Sequence, residues 1–464
     1  MSSDVHIVHQ VHSVHTVHLL ADFIRNAQTK NLPTSTIEAV KRCLLDLFGA
    51  AIAGFNAASA TALRNVARKR HAPGAASLWF DGAKNGGLCA AGATLANSGA
   101  ASALDLDDGH RAAAGHPGAG VIPAALATAR ETGADGPELL AAIAIGYDIG
   151  IRISAARDFD RQDTLSTGRW AAYAAVAAAG RLRQTSQDRL AQALSIAGVL
   201  SPGLSAAGYS RVMGNSAKEG IPWATYTGLT ALDLAENGFT GPLDILDHPD
   251  YYDSGKIAEG LGQGFAIESV YFKPYGCCRW IHAALDALSE IQASHGISGD
   301  RIREIQVETF GRALKLDNHT EPDSPESAQY SIPFCLALAA LEGGEALLPF
   351  RPTSLTDRRV IDLAKKVSLR VGPALDGAFP AAAPARVTVK TADGAFQAER
   401  RHPLGDPPNP MDNAALRAKF KRLADNRLPP EARDGLIGAI ASMETAGPEN
   451  LFAALNEPLL ETHP

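Results

Sequence analysis

The chain is predicted to be mainly α-helical with a smaller α+β domain, and three observations carry that expectation. Its 464 residues exceed the roughly 250–300 at which a single hydrophobic core stops growing, so more than one domain is expected. Hydrophobic residues make up 46% of the chain but aromatics only 6%; alanine supplies much of the rest, and it is the strongest helix former. Near residue 268 the apolar pattern changes from helical repeats to strand-like alternation.

Element by element, the N-terminus carries a three-residue rhythm, Val5-His6, Val8-His9, Val11-His12, Val14-His15 and Val17-His18. Imidazoles one turn apart can chelate a metal, but a terminal repeat lacks the supporting shell that such sites need. Residues 1–18 are therefore expected to form a frayed, His-rich arm. From 19 to 266 the pattern is helix after helix. Ser35-Thr36-Ile37-Glu38 has capping-box spacing and opens an apolar run through Leu44, Leu45, Phe48 and Ile52 that ends at Gly54. Asp135 to Glu138 repeats the start signal, and Gly180, Gly238 and Gly241-Pro242 punctuate later helices.

Residues 267–412 read as an α+β lid. Ile305, Val307 and Thr309 alternate with polar neighbours as in a half-buried strand. Val387 to Lys390 and Phe396 to Glu399 flank Asp393-Gly394, a hairpin signal. The Pro-rich stretch from His402 to Pro410 reads as a linker. Helical periodicity returns at Leu416, Phe420 and Leu423, so 413–464 is expected to complete the helical domain and the hinges to lie near 266 and 412.

Formal net charge is -7 with no long block of one sign, which argues against nucleic acid or an anionic membrane as partner and favours a small molecule. The five cysteines, Cys43, Cys89, Cys277, Cys278 and Cys335, give neither a disulfide framework nor paired metal-site spacing. No apolar run approaches the ~18 residues of a membrane span, and the start lacks the signal-peptide pattern. A cytoplasmic location is expected.

Two clusters could do chemistry. Asp105-Leu106-Asp107-Asp108-Gly109-His110 is followed by Gly115-His116-Pro117-Gly118. Three carboxylates and two imidazoles cannot all be buried without partners; the cluster is either a solvated helix cap or a coupled acid–base set in which an aspartate holds a histidine in its working tautomer. The second is Lys273-Pro274-Tyr275-Gly276-Cys277-Cys278-Arg279-Trp280-Ile281-His282. Its cations suit a carboxylate ligand, with Arg279 offering bidentate geometry, and the alternative is a structural turn. The vicinal cysteines are more readily small buried hydrophobes than nucleophiles.

These segments resemble the MmgE/PrpD family. Asp105 to Asp108 with His116-Pro117 and Val121 to Leu126 is similar to the family's "DFDD…HPSxxVIPAALA" stretch, and 273–282 to its "KPYPxCRxxH". Ser166-Thr167-Gly168-Arg169-Trp170, Gly238 to Pro242, and Gln329-Tyr330 resemble further family segments in the same order, over roughly residues 35 to 455. The resemblance implies a helical domain with an α+β lid, a homodimer, and no metal or other cofactor. It implies proton transfer to or from carbon beside a carboxylate, as in 2-methylcitrate dehydratase, cis-aconitate decarboxylase and iminodisuccinate epimerase.

Carried over by motif, His116 would be the acid/base, Asp105 its orienting partner, Lys273 the carboxylate binder facing substrate from the lid, and Tyr330 a second proton-transfer group. Asp108, His110, Thr167, Arg279 and His282 would complete the substrate-binding set. Departures narrow the reaction. Leu165 stands where many relatives have histidine, Cys278 where the decarboxylase has another, and the 209–214 loop lacks the family's lysine and histidine, leaving Arg211 or Lys218 to supply charge. A dehydratase-like lyase acting on a di- or tricarboxylic acid is ranked first, an epimerase-like isomerase second, and a non-catalytic carboxylate binder third.

Overall fold

The computed structural model describes residues 14–28, 32–204, 210, 212–217 and 219–461. Among the described residues nine helices make the first layer of structure: α1 (Thr16–Asn26), α2 (Thr34–Gly54), α3 (Ala58–Arg70), α4 (Ala90–Ser102), α5 (Pro117–Thr132), α6 (Gly136–Ala155), α7 (Ala171–Leu182), α8 (Gln187–Leu200) and α9 (Ile221–Glu236). The alanine bias explains how they sit together. Along α7, Ala171, Ala172, Ala174, Ala175, Ala177, Ala178 and Ala179 are fully buried, so α5, α6 and α9 all contact this one helix.

Three local expectations are corrected here. The Ser35–Glu38 capping box does not form: α2 starts at Thr34 behind Pro33, and the Ser35 and Thr36 hydroxyls donate instead to the Glu268 carboxylate at 3.1 and 2.5 Å. Gly180 lies inside α7 rather than ending it, because a Cβ there would come within 2.4 Å of the Leu190 side chain. Residues 14–18 are not a loose arm. α1 begins at Thr16, Val17 and Leu20 enter the core, and His15 Nδ1 lies 2.8 Å from Asp247; His6, His9 and His12 fall outside the described residues. By contrast Asp135 caps α6 as its sequence predicts, accepting from the Glu138 N–H at 2.9 Å.

The strand-forming residues build a four-stranded sheet, β1 (Glu304–Thr309), β2 (Val367–Val371), β3 (Ala385–Lys390) and β4 (Ala395–Arg400), in the order β2-β1-β3-β4. β1 pairs in parallel with β2 and antiparallel with β3, while β3 and β4 form the hairpin across Asp393-Gly394, where Gly394 takes the positive φ of 141°. Ile305 and Val307 of β1 and Val387 and Val389 of β3 point into the core shared with α10 (His282–His295) and α11 (Ile332–Glu342).

Among the described residues two main hydrophobic cores result, with a small third cluster of Ala50, Leu106 and Leu423. One runs from Val17 to Phe272 and resumes at Met411 through Leu455; the other is drawn from Cys277 to Val389. The return is made by α12 (Asn413–Ala424), whose Leu416 and Phe420 pack on α2 and whose Lys419 meets Asp46 at 2.6 Å, both buried. Among the described residues no single helix is long and apolar enough to cross a membrane.

Candidate active site

The start of α5 organises the site. His116 is its N-cap and Pro117 its first residue, where a fixed φ and a missing N–H cost nothing. The next residue, Gly118, donates its N–H to Asp108 Oδ1 at 2.9 Å, and Tyr147 donates its hydroxyl to Asp108 Oδ2 at 2.8 Å. A Cβ at Gly118 would come within 2.6 Å of that carboxylate and 2.8 Å of the phenol, so glycine is required. Burial, with the charges of Asp46 and Asp107 adding to it, pushes the Asp108 carboxyl up to about 7.

His116 is held through its backbone N–H and its Nδ1. Its backbone N–H donates to Thr167 Oγ1 at 3.0 Å, and the Thr167 N–H donates to Glu219 at 2.6 Å. Its Nδ1 lies 3.0 Å from the Asp108 carbonyl. A carbonyl can only accept, so Nδ1 carries a proton and Nε2 is the atom free to exchange one. That Nε2 lies 3.4 Å from Asp105 Oδ1, and Asp107 Oδ2 lies 3.6 Å from Nδ1. Asp105 itself takes a left-handed backbone, φ 55°, a conformation aspartate tolerates and one concentrated at functional sites.

Lys273 does not face the cavity from the lid. Its ammonium is sealed from solvent, 2.7 Å from Asp105 Oδ1. The reason is electrostatic: three aspartates converge behind His116, and a buried carboxylate needs a nearby cation more than an open cavity does. A line of groups therefore runs from Lys273 through Asp105 to His116.

His116 opens onto a cavity of about 310 Å³. His110, Arg111, Arg279, Tyr271, Glu219 and Tyr330 give it polar lining. Behind it a crevice of about 20 Å³ reaches Asp105 and Asp107. Burial pulls His110 down to about 4, so that ring is neutral near pH 7. Burial also drives the Tyr330 phenol upward, helped by Glu219 and Asp105, so it stays protonated and can donate. The Cys278 thiol, likewise raised by burial, is not a thiolate.

The remaining sequence-derived candidates are placed as follows. Asp108, Thr167 and His282 are fully or nearly fully buried and act on their neighbours. His282 lies 2.9 Å from Arg279 through Nδ1 and 3.1 Å from the Cys277 carbonyl through Nε2, and burial drives its pKa down. Arg279 lines the cavity, but its guanidinium is committed to Asp406 at 2.7 Å and to the Pro403 and Leu404 carbonyls. Bidentate capture of a ligand is closed to those nitrogens. Arg211 and Lys218 lie outside the described residues.

Two groups escaped the sequence reading. Asp406, inside the Pro-rich stretch read as a linker, is 1% exposed and holds both Arg279 and Arg111, the latter at 2.7 Å. The 402–410 segment is thus pinned rather than free. Arg111 reaches the cavity from the turn between His110 and Gly115, closed by the His110 N–H to the Gly115 carbonyl at 2.9 Å. Two guanidiniums share one carboxylate and both lie near the Tyr271 ring, at 5.3 and 4.6 Å from its centroid. The cluster keeps one positive charge in excess beside the cavity.

Asp105, Asp107 and His116 also offer three donor atoms within 4.8 Å of one another, the geometry of a cation site. Lys273 already supplies a positive charge to Asp105 there.

Comparison with known proteins agrees with this architecture. Residues 18–254 match the MmgE/PrpD N-terminal domain and residues 275–445 the MmgE/PrpD C-terminal domain. The chain belongs to the MmgE/PrpD family. It is 26% identical to a protein named cis-aconitate decarboxylase from Aspergillus terreus, over 86% of this chain and 87% of that one. A cis-aconitate decarboxylase-like protein of Aspergillus oryzae is 23% identical over 94% and 96%. The C-terminal MmgE/PrpD match includes α12, which in this structure packs on α2 of the helical core.

Proposed function

We propose that this protein is a lyase that eliminates a small leaving group from a di- or tricarboxylic acid by proton transfer at the carbon beside a carboxylate. The observation that carries the reading is the line Lys273–Asp105–His116 ending on a cavity that also holds Tyr330 and Arg111. A carbon acid next to a carboxylate is weak, so it needs a positioned base, a positioned acid and a cation where charge develops.

For a β-hydroxy acid the roles follow from chemistry. His116 Nε2 takes the proton from carbon, and the C–H electron pair becomes the double bond as the C–O bond breaks. The hydroxyl leaves as water with the proton of Tyr330. Arg111 faces the substrate carboxylate through Nη1, the nitrogen that Asp406 does not engage, and stabilises the charge that builds on it. Exchange with solvent then returns a proton to Tyr330 and removes one from His116, so the net change is substrate to alkene plus water. His110, neutral, hydrogen-bonds without adding charge.

One observation favours a second reading, an isomerase. His116 belongs to the helical core and Tyr330 to the other, the arrangement in which one group removes a proton and another replaces it. Incubation in deuterated water with citrate, 2-methylcitrate, cis-aconitate, iminodisuccinate and their 2-substituted homologues, followed by proton NMR, separates the two. New alkene, or its consumption, supports the lyase. Exchange with inversion and no alkene supports the isomerase and overturns the lyase. Silence across the series overturns both.

A further inference from the structure

The catalytic groups occupy only part of the cavity. Thr164, Ser166, Ser210 and Asn215 add polar lining, and beside them Leu165, Leu204, Met213, Leu316, Trp280 and Phe379 form an apolar wall. The lid side is rigid as well as apolar. Phe379 stacks on Phe310 with centroids 4.7 Å apart and an 11° interplanar angle, and Trp280 meets Phe379 edge-on at 5.5 Å and 83°. Such an aromatic corner is organised before any ligand arrives.

A bare polycarboxylate has nothing to place against that wall. Carboxylates set against those six side chains would lose water without gaining a partner, which is unfavourable, whereas the reacting end meets His116, Arg111 and Tyr330. An apolar surface continuous with an acid–base centre is instead matched by a ligand that is polar at one end and hydrocarbon at the other.

We infer that the substrate carries an alkyl chain of several carbons on its carboxylate-bearing skeleton, with the chain lying against Leu165, Met213, Trp280 and Phe379. The inference rests on the proposed reaction for the placement of the polar end, and it adds the chemical class of the other end. Selectivity is then hydrophobic, and each methylene that leaves water for the wall strengthens binding about fourfold.

Calorimetric titration of the full chain with succinate and with 2-alkylsuccinates from methyl to hexyl reads this without turnover. Affinity is expected to rise about fourfold per methylene over the first few members. Leu165→His and, separately, Phe379→Ser are expected to flatten that rise. An affinity that is flat or absent along the series in the unsubstituted enzyme overturns the inference, whatever the variants do. Turnover of 2-alkylcitrates and alkyl-substituted cis-aconitates is followed separately by NMR. Rising affinity with no reaction of any acid keeps the alkyl subsite and sinks the lyase reading. Reaction at a kcat/KM independent of chain length keeps the lyase and sinks the subsite.

Discussion

The Lys273 ammonium lies 2.7 Å from Asp105 Oδ1, with both side chains sealed from solvent. Breaking such a pair from one side is costly because the remaining charge stays buried, at roughly 3–5 kcal/mol. Lys273→Met should therefore lower the urea midpoint steeply, while Lys273→Met combined with Asp105→Asn should recover most of the loss. Both variants should lose activity, since Asp105 no longer presents a fixed carboxylate to His116 Nε2. A double variant as unstable as the single one would show that the pair is not what the lysine stabilises.

His116 Nδ1 faces the Asp108 carbonyl at 3.0 Å, leaving Nε2 for proton exchange. Replacing the ring by an amide keeps a polar side chain of similar reach but removes the acid–base function. His116→Gln should reduce kcat by about 10²–10⁴ with little change in KM. Loss confined to KM would make His116 a binding residue only.

How much of this was legible in the sequence depends on whether a local signal exists. Three of the four strands announced themselves because period-2 alternation at Ile305, Val307 and Thr309 and the Asp393-Gly394 turn are local facts; β2, Val367–Val371, was not read from the sequence. The Asp105–His116 cluster was visible as an unusual density of charge. Partners were not visible. Lys273 was expected to meet substrate, yet it meets Asp105, 168 positions away in the chain (273 minus 105). Asp406 had no signal at all: a lone aspartate among prolines looks like a loop, and only the fold brings Arg111 and Arg279 to it. Ser35 and Thr36 show the same limit, since a distant glutamate outcompeted the local capping pattern.

The excess cation beside Asp406 is assigned to the substrate carboxylate through Arg111. A hydrogen bond to a charged group contributes about 1.5–3 kcal/mol. Arg111→Gln should then raise KM by roughly 10- to 100-fold, and its effect should shrink for substrates lacking the carboxylate that the guanidinium faces. Equal effects on every substrate would mean that Arg111 only holds Asp406 in place.

The pH dependence of stability tests the burial of the cluster. Asp108 has its pKa raised to about 7 from an ordinary 3.8, so the folded chain holds this proton more tightly than the unfolded one. Its contribution is full below 3.8 and is lost as pH rises through about 7. His110 is lowered to about 4 from 6.5, so its contribution is present above 6.5 and is lost as pH falls through about 4. Between about 4 and 6.5 the two slopes oppose each other, and from about 6.5 to 7 only that of Asp108 remains. Asp108→Asn keeps an acceptor for the Gly118 N–H and removes the titration. In that variant the urea midpoint should rise with pH from about 4 to 6.5 and then level off, whereas the unsubstituted protein should be flatter below 6.5 and should decline above it. The difference between them is bounded at about 4 kcal/mol by the size of the shift. Parallel curves for the two proteins would mean that Asp108 does not titrate in this range.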